Sequence, residues 1–207
     1  MADARPIWSR DLLIDTTIEV LRSRGVSAVT VDAVITAAQV SRATLYRQFP
    51  GCGELVAAAF TQLIPATPAS PPPGPWRERL VAVVSEQARS VAESPDLVAA
   101  LCWLALERGA TPRLDQVLLP DEADGPERRD LCDRLRQWCL TPLDEVLGRP
   151  GARAELGEID RELVFALLVA PTLCGASGQS RVWAAAAVAA FAGAHQVMPT
   201  LTGRHVL

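Results

Sequence analysis

The side chains best suited to bind another molecule are concentrated between residues 30 and 47. Residues 42–47 carry guanidinium, hydroxyl and phenol groups, and no carboxylate lies among them. Such groups donate hydrogen bonds to base edges and phosphates. The candidate contacts are Thr30, Ser41, Arg42, Ala43, Thr44, Tyr46 and Arg47. Their chemistry favours recognition of a nucleic acid.

Two short helices joined by a tight turn are predicted to position these groups. Thr30 and Ser41 are preferred N-cap residues, and each precedes a segment with helical spacing of apolar residues. The first helix is predicted to bury Val31, Val34, Ala37 and Ala38. The second is predicted to bury Leu45 and Phe49, four residues apart on one face. Its opposite face suits a DNA groove.

The segment VSRATLYRQFP, residues 40–50, closely resembles the end of the helix-turn-helix of TetR-family transcriptional regulators. The match runs roughly from Leu12 to Phe60, and its matching positions are Thr30, Val31, Ala38, Val40, Ser41, Thr44, Leu45, Tyr46, Phe49 and Leu55. The resemblance implies an all-α homodimer with an N-terminal helix-turn-helix three-helix head and a C-terminal helical ligand-binding and dimerisation domain. It also implies a palindromic DNA operator from which an effector releases the protein.

Three positions depart from the family pattern. Gln39 stands where the family usually has glycine in the turn, Ile35 replaces a customary alanine, and Cys52 replaces a lysine that lies near a phosphate. A second hypothesis is therefore a helical dimer that binds a ligand or a protein but not DNA. A third makes Cys52 a redox sensor, because a helix N-terminus can lower the pKa of a thiol.

Composition divides the chain into three parts. Residues 1–64 form the predicted head with its connecting helix, and residues 76–207 form the predicted effector and dimerisation domain. Between them, residues 65–75 hold six prolines in eleven positions and are predicted to be an extended linker. Helices are predicted over residues 9–24, 53–64, 76–93, 95–109, 126–147, 159–175 and 181–197, with a short piece near 112–119.

The last two predicted helices are apolar around most of their circumference and rich in alanine. Such helices must be buried on several sides, which favours a homodimer formed through them. Their most apolar stretches, Leu163–Ala176 and Val182–Ala194, are shorter than the roughly 20 residues that cross a bilayer. No apolar leader follows Met1. We therefore expect a cytoplasmic protein without a membrane partner.

A pocket for a small hydrophobic or aromatic effector is predicted in the C-terminal part, although large apolar groups usually only fill a core. Its residues would be Cys102, Trp103, Leu106, Trp138, Cys139 and Phe165. Pro142 and Pro171 fall inside predicted helices, where each leaves a carbonyl, of Trp138 and of Leu167, without its usual donor. Those carbonyls could accept a hydrogen bond from a ligand.

No catalytic constellation, metal site or cofactor motif is found in the sequence. His195 and His205 lie near the C-terminus without a nucleophile close in sequence, and the five cysteines lack the spacing of a zinc site. The net charge is −4, and all twenty basic residues are arginine. In the helix predicted over 126–147, the arginines at 128, 129, 134 and 136 are expected to form a solvated face paired with acids.

Overall fold

The computed structural model describes residues 5–65, 70, 73–107 and 121–157. All regular secondary structure in these ranges is helical, which confirms the all-α prediction. The helices are α1 (Arg5–Arg24), a 3₁₀ turn (Val26–Ala28), α2 (Val31–Ala38), α3 (Arg42–Gln48), α4 (Cys52–Leu63), α5 (Trp76–Glu93), α6 (Pro95–Glu107), α7 (Pro126–Leu147) and α8 (Pro150–Leu156). None of these helices combines the length and apolar character needed to span a membrane.

The head consists of α1, α2 and α3 around a small core. Leu13, Val34, Leu45 and Phe49 are completely buried there. Gly25 follows α1 with φ 81, a backbone conformation that glycine adopts without strain, so the chain can turn sharply towards α2. Ala37 is exposed, so its expected place on the buried face of α2 is wrong.

Helix α4 connects the head to the rest of the molecule and is buried almost throughout. All residues from Glu54 to Phe60 are buried in succession. A helix buried around its whole circumference needs neighbours on every side. It packs against α1 in the head and against α6 and α7 in the body.

The body formed by α5 to α8 follows the predicted pattern closely. The bounds predicted for α5 and α7 are confirmed to the residue, and Pro142 lies inside α7 as expected. The predicted helices at 112–119, 159–175 and 181–197 lie outside the described residues, as does Pro171.

Helix α8 was missed by the sequence reasoning. It begins at Pro150 and is followed by Gly157, which has φ 72. It docks on the start of α5 through Glu155, which accepts hydrogen bonds from the indole nitrogen of Trp76 at 3.1 Å and from Arg77 at 2.7 Å. These donors hold the pKa of the Glu155 carboxyl below its ordinary value.

The turn between α2 and α3 contains a left-handed non-glycine residue. Gln39 has φ 55 and ψ 39, and its N–H donates to the carbonyl of Ile35 to end α2. An L-residue in this conformation is strained by the approach of Cβ to its own backbone. The turn therefore places Gln39 in a conformation that glycine adopts without strain.

Replacing Gln39 by glycine should stabilise the protein. We expect a gain of up to about 1 kcal/mol, since relief of the left-handed strain exceeds the entropy that glycine loses on folding. The thermal unfolding midpoint followed by circular dichroism should rise by roughly 2–4 °C. Gln39→Ala, which keeps a Cβ, is the control and should show no such rise. A midpoint of Gln39→Gly at or below that of the wild type would contradict the argument.

Candidate nucleic-acid interface

Two side-chain caps fix the helix-turn-helix. The Thr30 hydroxyl accepts a hydrogen bond from the N–H of Ala33 at 3.2 Å, and the Ser41 hydroxyl accepts one from the N–H of Thr44 at 3.1 Å. Each cap satisfies an N–H group that the first turn of a helix leaves without a partner. The Ser41 and Thr44 hydroxyl oxygens also lie 2.9 Å apart. Both predicted N-caps are therefore present.

Helix α3 has the two-sided character that the sequence predicts. Leu45 and Phe49 are fully buried, whereas Ser41, Arg42, Ala43 and Arg47 are exposed. Tyr46 is also exposed, at 48 %, and Thr44 is half-buried. Thr30 is exposed at the start of α2. The structure thus places six of the seven predicted DNA-contacting residues in solvent on the two helices.

The charge of Arg42 is not isolated, although no carboxylate lies among residues 42–47. Its guanidinium forms an ion pair with Asp32 on α2. The composition of α3 does not reveal this pair, because Asp32 lies ten positions before Arg42. Because both side chains are largely exposed, the pair contributes little to stability. It does place a carboxylate beside the recognition surface.

The thiol of Cys52 is half-buried at the start of α4 and donates to the carbonyl of Val29 at 3.3 Å. Burial, together with the nearby Glu107 carboxylate, raises its pKa above the ordinary value. A reactive redox-sensing cysteine requires a lowered pKa and accessibility. The direction of the shift is therefore opposite to the one on which the sensor hypothesis depends.

Among the six residues predicted to bind an effector, the five that the structure describes differ in burial. Cys102 is exposed and Leu106 is 79 % exposed. Trp103 is buried against Phe60 of α4, with ring centroids 5.7 Å apart. Phe165 lies outside the described residues. Trp138 and Cys139 lie in the interior of the body as expected.

A buried glutamine, which the sequence reasoning missed, contacts this interior. Gln87 of α5 is 1 % exposed, and its Nε2 donates to the carbonyls of Trp138 at 3.3 Å and Cys139 at 2.8 Å. The carbonyl of Trp138, expected to lack a donor because of Pro142, is therefore satisfied by protein. The signal was present in the sequence, since Gln87 interrupts the apolar stripe of Val83, Val84, Ala88 and Val91.

Gln87 and Trp138 each have one side-chain atom that makes no hydrogen bond within the described structure. Gln87 Oε1 and Trp138 Nε1 are buried and find no hydrogen-bond partner among the described residues. Burial also raises the pKa of the Cys139 thiol to about 12, so that this group is neutral. No group of three or more histidine, cysteine or acidic side chains in the described ranges is arranged to hold a metal ion.

Comparison with known proteins agrees with this geometry. Residues 13–59 match the family described as bacterial regulatory proteins, tetR family. The chain is also similar to uncharacterized HTH-type transcriptional regulators of Mycobacterium bovis and Mycobacterium tuberculosis, with 33 % identity over 106 residues. This match covers 51 % of the chain and 51 % of each relative, so the chain spans about half the length of the curated relatives it matches.

A solved structure shares the fold. The crystal structure of a tetR-family transcriptional regulator from Streptomyces coelicolor aligns over 93 % of this chain and 82 % of its own, with a TM-score of 0.51 and 22 % identity. The family match falls on the helices that carry the exposed arginines and the two caps. Through residues 13–59, the chain is similar to the tetR family of bacterial regulatory proteins.

Proposed function

We propose that this chain is a DNA-binding transcriptional repressor of the cytoplasm that a small apolar effector releases from a palindromic operator. The observation that carries the proposal is the division of α3 into two faces. Leu45 and Phe49 anchor the helix completely, so Arg42, Tyr46 and Arg47 are held in solvent on a rigid support. A helix so anchored can enter the major groove without rearrangement of the head.

Roles within the groove follow from the chemistry of each side chain. Arg42 and Thr44 are assigned to base edges, because a guanidinium can bind guanine through two hydrogen bonds and a hydroxyl can bind several bases. Thr30, Ser41, Tyr46 and Arg47 are assigned to phosphates, which set the position of the head on the duplex. Ala43 is small enough to let α3 approach the bases closely.

Dimerisation supplies the second head that a palindrome requires. The proposed interface is formed by the apolar segments at 159–175 and 181–197, which lie outside the described residues. A two-fold axis would place the two α3 helices on half-sites about one helical turn or more apart. The effector would favour a dimer in which this separation no longer fits the operator.

The effector site is proposed to centre on Trp138, Cys139 and Gln87. Cys102 and Leu106 are exposed, which makes them less suitable than the sequence suggested. Gln87 Oε1 can accept a hydrogen bond and Trp138 Nε1 can donate one. Leaving such atoms unpaired costs about 1–3 kcal/mol each, which a bound ligand would recover. The effector is therefore expected to be largely apolar with one neutral polar group.

A second candidate function is a helical ligand- or protein-binding dimer that does not use DNA. The ion pair between Asp32 and Arg42 favours it, because the carboxylate repels phosphates and occupies a guanidinium assigned to a base. The strained Gln39 points the same way, since the turn lacks the glycine usual in the family. Selection of duplexes from a random library by the purified protein separates the two functions.

Arg47→Ala should weaken DNA binding without changing its sequence preference. Loss of one phosphate contact is expected to lower affinity for the selected operator about tenfold at low salt and to reduce the salt slope by about one. Fluorescence anisotropy at several salt concentrations measures both quantities. Arg153→Ala, which removes an exposed arginine from α8, is the charge-matched control. If the two variants bound the operator with equal affinity, the proposal that α3 contacts DNA would be wrong.

Asp32→Asn should strengthen DNA binding. The substitution frees Arg42 and removes a carboxylate from the recognition surface, so affinity should rise about threefold at low salt and less as salt screens the charge. The same anisotropy assay applies to operator and to unrelated duplexes. Asp15→Asn, at an exposed acid of α1, makes the same charge change and should have a smaller effect. Unchanged or weaker binding would show that Asp32 does not oppose DNA.

Titration with hydrophobic effectors should quench tryptophan fluorescence through Trp138. Trp138→Phe should remove the quenching, whereas Trp103→Phe should retain it because Trp103 lies against α4. Gln87→Met, which removes the hydrogen-bonding amide, should weaken binding about five- to tenfold. Quenching that survives Trp138→Phe would place the effector elsewhere.

A further inference from the structure

The first turn of α7 is capped by a residue of α4. Gly125 occupies the N-cap position of α7 and has no side chain to satisfy the first N–H groups. Glu54 supplies the missing acceptor, because its Oε2 accepts a hydrogen bond from the N–H of Glu127 at 2.9 Å. A carboxylate is also favoured there by the positive end of the helix dipole. The cap joins residues 73 positions apart.

Two glycines leave room for the charged side chains where α4 meets α7. A Cβ on Gly125 would lie 2.3 Å from the Glu54 carboxyl carbon, and a Cβ on Gly53 would lie 2.7 Å from Nη2 of Arg128. Both distances are too short for real contacts, so any larger residue must displace the charged side chain. Glycine at both positions therefore leaves the Glu54 carboxylate and the Arg128 guanidinium undisturbed where α4 meets α7.

The Nε of Arg128 lies between two carboxylates and forms a hydrogen bond with neither. This atom is 3.9 Å from Glu54 on α4 and 3.9 Å from Asp124 in the loop before α7. It is buried and has no hydrogen-bond partner among the described residues. Its Nη2 instead donates to Glu107 of α6 at 3.2 Å. The expectation that Arg128 lies on a solvated outer face is therefore wrong.

A second contact ties the head to the same turn of α7. Arg10 of α1 donates to the carboxylate of Glu127 at 2.7 Å, and its guanidinium lies over the ring of Phe49, 4.6 Å from the centroid. Phe49 is the C-cap residue of α3 and is completely buried. The first turn of α7 is thus connected through one arginine to the anchor of α3.

We propose that Glu54 and Arg128 are positioning residues that set the orientation of the DNA-binding head relative to the body. They touch no DNA. They hold α4 against α7 so that the two heads of a dimer meet both half-sites of an operator. This inference rests on the proposed function, but it concerns the spacing of the heads and not the recognition surface.

The test compares a full palindromic operator, selected with the wild-type protein, with a duplex that carries a single half-site. Glu54→Gln removes the charge that attracts Arg128, and Gly125→Ala displaces the Glu54 carboxylate without changing any charge. Each variant should lose about tenfold in affinity for the full operator and less than about twofold for the half-site. Arg22→Gln is the control, because it breaks an exposed ion pair between head and body, to Asp96 at 3.1 Å.

The half-site measurement separates positioning from damage to the fold. A variant that merely unfolds loses affinity for both duplexes, and its thermal midpoint by circular dichroism falls with it. Equal losses on both duplexes, or no loss for either variant, would overturn the inference while leaving the proposed function intact. Failure of the wild-type protein to select any duplex would overturn the proposed function itself.

Discussion

The continuous burial of α4 is the constraint on which the remaining contacts depend. Seven residues in succession are removed from solvent, so the helix must be surrounded by α1, α6 and α7 at once. Small side chains at residues 57–59 allow this close packing. The same burial brings Glu54 into an interior where a carboxylate needs partners, and the start of α7 and Arg128 supply them. Apolar packing and polar contacts therefore both fix the position of α4 between the head and the body.

Local signals in the sequence sufficed to predict α2, α3 and α7. Pro126 and the apolar spacing after it gave both bounds of α7, and Thr30 and Ser41 identified their helices because a cap is a contact within one turn. The left-handed conformation of Gln39 also follows from its place between two helices. Helix α8 is too short for periodicity to reveal, since its seven residues cover barely two turns.

Contacts between elements could not be predicted from the sequence. The periodicity of α7 assigns Arg128 to an exposed face, whereas its guanidinium lies against Gly53 of α4, where a Cβ would displace it. In the same way, Pro142 shows that a carbonyl of α7 loses its helical donor, but not that Gln87 of another helix replaces it. The pairing of Asp32 with Arg42 likewise depends on the angle at which α2 and α3 meet. Each case requires the relative placement of two helices.

The ion pairs between head and body in the described part of the chain all use arginine, and the sequence contains no lysine. Arg10, Arg22 and Arg128 make these contacts with carboxylates of the body or of α4. Arginine binds a carboxylate through a planar fork of N–H groups, whereas lysine presents a single ammonium group. Acetylation, which neutralises lysine side chains, has no target among these pairs. The described contacts between head and body are thus indifferent to enzymes that acylate lysine.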